Sequence, residues 1–224
     1  MNSNPFRFPV LQFIGDACSI YVGRFGPLFL GHLVVALILN FGSLLALPVT
    51  GPLMAGLMYM SLKAVRGERV LFEDTFALFN RFVPTMLLGL VQVGIITAAV
   101  LLFGIPTLIG LFLAIMAGSP LGVFLVVFFG GLLTAWPTVY VLFYFTPAWF
   151  YILDDEVDCF EALRRSRALV LRQRRAWVGF LVPVSLLHLA SLSSFCVGYL
   201  LVTPWLLVCF ALAFEYQTRA EANA

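Results

Sequence analysis

Three long stretches of this 224-residue chain contain no aspartate, glutamate, lysine or arginine: Phe25 to Leu62, Phe82 to Leu153, and Ala176 to Phe214. About 20 apolar residues let an α-helix cross a hydrocarbon core of about 30 Å. The first and third stretches therefore each fit two crossing helices, and the middle one fits two long or broken helices. Lipid offers no hydrogen bonds, so each segment must satisfy its own backbone, which selects helices. Composition agrees, with 62% hydrophobic and 11% charged residues and a mean hydropathy of +1.04, against about 25% charged in soluble domains. The expected fold is all-α, a polytopic membrane helix bundle with about six transmembrane helices in three hairpins, forming one integral domain over residues 1–224. Backbone breakers place the first turn at Pro48-Val49-Thr50-Gly51-Pro52 and the third near Val202-Thr203-Pro204. In the middle stretch Gly104-Ile105-Pro106 and Gly118-Ser119-Pro120 bracket a piece, 105–117, too short to cross alone. It reads as a helix extension or a re-entrant segment, expected inside the bundle, while Pro137 and Pro147 predict a kinked fourth span.

All 13 lysines and arginines lie outside the charge-free stretches. The positive-inside rule makes their side cytoplasmic, which puts both termini there and leaves almost nothing outside. The N-terminus Met1-Asn2-Ser3-Asn4 has no basic cluster and Asp16 interrupts the first apolar run, so no cleavable signal peptide is expected. A formal net charge of +2 is too small to argue for nucleic acid. The four cysteines, Cys18, Cys159, Cys196 and Cys209, lack any metal or redox spacing and read as small apolar packers.

Each hairpin is preceded by a short amphipathic segment. In the first, Val10, Phe13, Ile14, Ala17 and Tyr21 form an apolar stripe opposite Gln12, Asp16 and Ser19. In the second, Phe72, Phe76 and Phe79 oppose Glu73, Asn80 and Arg81; in the third, Cys159, Leu163, Ser166 and Val170 oppose Asp158, Glu161, Arg165 and Arg172. The joins also correspond, Asp16 with Arg24-Phe25, Pro27 and Gly31 paralleling Asp74 with Arg81-Phe82, Pro84 and Gly89. The pattern predicts three repeats, 9–62, 71–153 and 156–216, each an interfacial helix plus a hairpin, with the interfacial helices forming a cytoplasmic collar.

Candidate chemistry is sparse. Asp154-Asp155-Glu156-Val157-Asp158 fits an aspartate-rich motif that would hold magnesium on a diphosphate, but the chain has no second acidic cluster to complete such a cage. The motif reads better as a helix cap, Asp154 or Asp155 capping with Glu156 and Asp158 in the first turn. Arg164, Arg165, Arg167, Arg172, Arg174 and Arg175 form a basic run suited to anionic lipid headgroups or a partner protein. Among polar residues at membrane depth, Gln92, Ser185, His188 and Ser191 make a candidate polar lining, although interhelical packing explains them more simply. Glu215 and Arg219, spaced i, i+4, read as an interfacial ion pair, and Gly118-Ser119-Pro120-Leu121-Gly122 reads as a turn rather than a dimer face. No nucleotide, hydrolase, zinc-protease or dithiol motif is present, so no catalytic residue, metal site or cofactor is expected.

The segments Thr50-Gly51-Pro52-Leu53-Met54-Ala55-Gly56, Arg66-Gly67-Glu68 and Phe72 to Phe82 carry a resemblance, continued at Pro147, Asp154, Glu161 to Ser166, Val197-Gly198 and Val202-Thr203-Pro204. The chain resembles a bacterial six-span membrane family that includes the membrane domain of some glycerophosphoryl diester phosphodiesterases. The resemblance implies a six-helix domain in a bacterial plasma membrane and supplies no catalytic residues; the soluble phosphodiesterase domain is absent from this sequence. The leading expectation is a non-enzymatic accessory or scaffold protein that binds partner proteins and anionic lipid through its cytoplasmic face. The alternatives are a transporter or channel component using the broken middle helices, and a lipid-modifying enzyme using Asp154, Asp155 and Asp158.

Overall fold

The computed structural model describes residues 10–42, 46–172, 174, 177–180, 182–183, 186 and 195–222. They are mostly helical, with no strand among them. The elements are α1 (Val10–Gly23), α2 (Phe25–Phe41), α3 (Leu47–Val65), a 3₁₀ helix (Phe72–Arg81), α4 (Phe82–Ala99), a π segment (Val100–Gly104), α5 (Ile105–Met116), α6 (Pro120–Asp154), α7 (Cys159–Arg172) and α8 (Phe195–Ala222). Two helical runs, Phe72–Met116 and Leu200–Arg219, are long and apolar enough to cross a membrane. The pair Gln12–Gly23 and Phe25–Phe41, bent by 87° at Arg24, makes a third if it counts as one broken span.

The chain divides into two compact units. Unit 1 comprises Met1–Leu90 and Tyr144–Ala224, and holds the core: Leu53 and Met60 of α3, Trp149, Phe150 and Ile152 of α6, Trp177 and Phe180, and Phe214 of α8 are buried. Phe150 stacks on Phe214 at 5.0 Å, and Phe13 of α1 meets Tyr216 edge-on at 5.2 Å. Aromatic pairs of this kind add about 1 kcal/mol beyond their burial. Backbone approaches in this unit are set by small residues. A Cβ on Gly56 would lie 1.9 Å from the Thr75 carbonyl oxygen, and one on Gly51 would lie 2.1 Å from that of Thr85. Gly89 of α4 faces Gly51 itself, where a Cβ would come within 2.7 Å of the glycine Cα. Such contact is how helices associate where apolar burial gives no net drive.

Unit 2, Val91–Phe143, is an antiparallel helical hairpin. Gly110 faces Val126, Gly130 faces Thr107, and Gly122 faces Ala114, so α5 and the first half of α6 run side by side. Gly118 closes the turn with φ +62°, a conformation open to glycine. Ser119 caps α6, its Oγ accepting the Gly122 N–H at 3.1 Å, and Pro120 follows where its missing N–H costs nothing.

Several expectations are corrected. Pro48, Thr50, Gly51 and Pro52 lie inside α3 and do not form its turn, because Pro48 sits in the first helical turn and needs no donor. Pro204 likewise lies within α8, which passes through Val202 and Thr203 unbroken. The 105–117 piece is a helix extension: α4 continues through the π segment into α5. It is not covered by protein either, since Leu108, Ile109, Phe112, Leu113 and Met116 are all exposed. Pro137 and Pro147 fall within the bounds of α6, Pro120–Asp154. Cys159 and Cys209 are buried packers, but Cys18 is exposed; the Cys196 side chain lies outside the described residues.

The amphipathic segments are helical, with one change of face. In α1, Phe13, Ala17 and Tyr21 are buried while Gln12, Asp16 and Ser19 are exposed, as the stripe predicts. In the second segment Thr75 and Leu78 are buried while Phe76 and Phe79 are exposed. A stripe of 3.6 residues per turn does not fit a 3₁₀ helix, which has three, so Thr75 and Leu78, three apart, share the inner face. The rings run as a ladder, Phe72–Phe76 at 5.8 Å, Phe76–Phe79 at 6.1 Å and Phe79–Phe82 at 6.2 Å, with Phe76 and Phe79 exposed and Phe72 and Phe82 half-buried. In α7, Cys159, Ala162, Ser166, Leu169 and Val170 are buried, close to the predicted face.

Candidate functional site: a charged network in unit 1

The ends of α3, α6 and α8, the 3₁₀ helix and α7 bring their charges together. Arg66, just past α3, is the centre. Its two terminal nitrogens donate to the two carboxylate oxygens of Asp154 at 2.9 Å each, and its Nε donates to Glu215 of α8. The planar guanidinium suits such a double engagement, which lysine cannot reproduce. The hydrogen bond to Asp154, with that to Glu215, raises the Arg66 pKa above its ordinary value despite partial burial. Glu215 retains only 9% of its side-chain exposure and also accepts from Arg219 at 3.3 Å, so the i, i+4 pair predicted at the end of α8 is present.

Around this centre, Lys63 donates to both oxygens of Asp74 at 3.0 and 2.9 Å, and Asp74 also accepts the Leu71 N–H at 2.7 Å. Arg81 donates to the Ile152 carbonyl at 3.3 Å and pairs with Glu156. Glu156 has φ 56°, a left-handed conformation that re-aims the chain between α6 and α7. Arg165 pairs with Glu161 at 2.8 Å and with Asp155 at 2.5 Å, and Arg164 pairs with Glu161 at 2.6 Å. The hydrogen bonds from Arg164 and Arg165 hold the Glu161 carboxyl below its ordinary pKa.

The aspartate-rich motif is therefore dispersed. Asp154 goes to Arg66, Asp155 to Arg165 and Glu156 to Arg81, while Asp158 caps α7 by accepting the Glu161 N–H at 2.8 Å. The cap is Asp158, not Asp154 or Asp155, because α6 extends to Asp154 and the left-handed Glu156 delays the start of α7. Among the described residues no group of three or more His, Cys, Asp and Glu side chains is placed to hold a metal ion.

Of the basic run, Arg164, Arg167, Arg172 and Arg174 are exposed, and Arg165 is committed to two carboxylates. Arg175 lies outside the described residues, as do Ser185, His188 and Ser191 of the predicted lining; Gln92 is half-buried in α4. Phe160 and Leu171 share the exposed surface of α7 with Arg164 and Arg167, at positions spaced four, three and four apart. Two hollows among the described residues bear on function. An open groove of about 710 Å³ in unit 1 runs between Arg81, Val83 and Leu87 on one side and Glu156, Asp158 and Phe160 on the other. A smaller apolar hollow of about 290 Å³ in unit 2 lies between the π segment and Gly131. The groove had no signal in the sequence, since its two walls are some 70 positions apart. Comparison with family models, with curated proteins and with solved structures found no match. The described residues are thus defined by their fold: all-α, with two or three helices among them long and apolar enough to cross a membrane.

Proposed function

We propose that this is a non-enzymatic integral membrane protein of a bacterial plasma membrane, an accessory or scaffold component that binds anionic lipid and partner proteins through a basic cytoplasmic rim. In this reading the bundle has six spans in three hairpins, both termini are cytoplasmic, and the amphipathic helices form a collar. The observation that carries it is the division of charge on α7. Asp155, Glu161 and Arg165 are held in internal pairs, while Arg164, paired with Glu161 yet 79% exposed, and the exposed Arg167, Arg172 and Arg174 lie on or just after the helix that also exposes Phe160 and Leu171. An aromatic and a leucine flanking arginines is the pattern of an interfacial helix, with its apolar groups at the acyl boundary and its cations at the headgroups. The 87° bend between α1 and α2 supports the collar, because it turns an amphipathic helix into an apolar one at Arg24.

The test is purification in mild detergent from the native membrane, followed by mass spectrometry of co-purifying proteins and lipids. A stoichiometric partner and enriched anionic lipid are expected, both reduced when Arg164, Arg167, Arg172 and Arg174 are changed to glutamine. Each removed charge weakens vesicle binding about fivefold, from about 1 kcal/mol per basic residue. A solitary protein whose lipids are unaffected by the substitutions sinks the reading. A second reading, a transporter or channel component, is favoured by the π segment beside the hollow of about 290 Å³, since such bulges recur at functional sites. It requires flux of a solute in reconstituted vesicles.

A further inference from the structure

The groove of about 710 Å³ in unit 1 has a composition unlike the arginine-rich face of α7. Its polar side chains include one guanidinium, Arg81, and two carboxylates, Glu156 and Asp158. Arg81 and Glu156 pair with each other. Asp158 accepts the Glu161 N–H through one oxygen and forms no ion pair among the described residues, whereas Asp74, Asp154, Asp155, Glu156, Glu161 and Glu215 all do. The groove therefore carries one unmatched negative charge beside an ion pair. Its rim is the opposite of polar: Val83 and Leu87, one turn apart on α4, and Phe160 at the start of α7 are exposed, Phe160 to 72%. A volume in the range of small-molecule sites, about 300–1,000 Å³, is open to that rim.

An occupant must bring a cation for Asp158, an anion that Arg81 can meet, and apolar surface for Val83, Leu87 and Phe160. We propose that the groove seats the headgroup of an aminophospholipid, with the primary ammonium between Asp158 and Glu156, the phosphate at the Arg81 guanidinium, and the acyl chains lying over Val83 and Leu87. A primary ammonium donates three hydrogen bonds to carboxylates, and such charge-assisted bonds are the strong ones. A quaternary ammonium donates none and relies on an aromatic cage, and Phe160 is the lone aromatic residue of the lining. Phosphatidylethanolamine is thus selected over phosphatidylcholine. The site is distinct from the anionic-lipid face of α7 and rests on the membrane placement proposed above, not on the scaffold role.

The experiment is native mass spectrometry of the full chain released from nanodiscs holding equal amounts of phosphatidylethanolamine, phosphatidylcholine and phosphatidylglycerol with matched acyl chains. The wild type is expected to retain phosphatidylethanolamine over phosphatidylcholine about tenfold, the worth of one charge-assisted hydrogen bond. Asp158→Asn removes the charge while keeping a side chain that caps a helix equally well, and Glu156→Asn removes the second carboxylate with a residue that tolerates the left-handed conformation. Each variant is expected to bring the two lipids close to parity, while Glu73→Gln, an exposed carboxylate outside the groove, leaves the preference intact. Equal retention in the wild type, a phosphatidylglycerol preference that Asp158→Asn leaves unchanged, or an ethanolamine preference that survives both substitutions overturns the assignment. A chain that fails to enter nanodiscs overturns the membrane placement along with it, which separates the two failures.

Discussion

Arg66 shows what a single residue holds together. It pairs with two carboxylates of different burial, Asp154 on the exposed side and Glu215, which is nearly sealed. Arg66→Ala leaves Glu215, among the described residues, with Arg219 at 3.3 Å, and its expected cost is about 2 kcal/mol in denaturant titration of the micellar protein. Asp154→Asn, acting on the exposed arm, is expected to cost under about 1 kcal/mol in the same titration. Glu161 adds a pH dependence whose sign is fixed by the direction of its shift. Its folded-state pKa lies below the ordinary 4.5, so the contribution of its pairs with Arg164 and Arg165 is complete above that pH and fades as pH falls beneath it. Thermal midpoints measured by scanning fluorimetry should fall below pH 4.5, and Glu161→Gln should flatten that part of the profile. At this scale part was legible: the acidic motif near 154–158 reads as cap material rather than a metal cage, and the 215–219 pair reads directly, whereas the ion pairs of Asp154, Asp155 and Glu156 carry no local signal. The identity of the cap was not, because no local rule foretells that Glu156 adopts φ 56° and shifts the helix start to Cys159. Nor was the meeting of Arg66 with Glu215, which depends on tertiary packing alone.

Among the elements, glycine decides which helices can approach. Gly56→Ala puts a methyl within 1.9 Å of the Thr75 carbonyl, where backbone must move. A loss of about 2–3 kcal/mol is expected, read from the same denaturant titration, with partial recovery impossible through side-chain repacking alone. Gly15→Ala, on α1 with nothing within 4 Å, is expected to be neutral or stabilising by up to about 1 kcal/mol. Elements were well foreseen where periodicity is long and less well where prolines punctuate it. The apolar α1 stripe and the α7 face stand as read. The turns expected at Pro48–Pro52 and Val202–Pro204 rest on the rule that proline breaks helices, which fails in a first helical turn and in helices whose neighbours absorb the lost bond. The 3₁₀ geometry of Phe72–Arg81 is invisible to a 3.6-residue period, and it is what turns Phe76 and Phe79 outward while Phe72 stays half-buried.

For the molecule as a whole, the charge map is the strongest legible signal, and it predicts sidedness that can be checked residue by residue. In a variant with all four cysteines replaced, Ser119→Cys at the hairpin turn is expected to react with an impermeant maleimide from outside the cell. Arg69→Cys, between α3 and the 3₁₀ helix, is expected to react only after the membrane is opened. Both residues reacting from the same side removes the three-hairpin topology. All-α architecture and helices fit for a membrane followed from composition and from the length of the charge-free stretches, whereas the two-unit division did not, because apolar blocks look alike whether they line a core or stand exposed. The π segment carries a further consequence. A five-residue π turn, Val100–Gly104, wraps more chain per revolution than an α turn, so it sets the angular phase of everything after it. With that wide turn holding the phase, removing one residue from the α-helical run before it, Phe82–Ala99, would rotate α5 by about 100°, swinging Thr107 away from Gly130 and Gly110 away from Val126 while leaving every side chain between Ile105 and Met116 unchanged in kind. The hairpin is thus keyed like a screw thread, and its tolerance lies in which residues are used, not in how many.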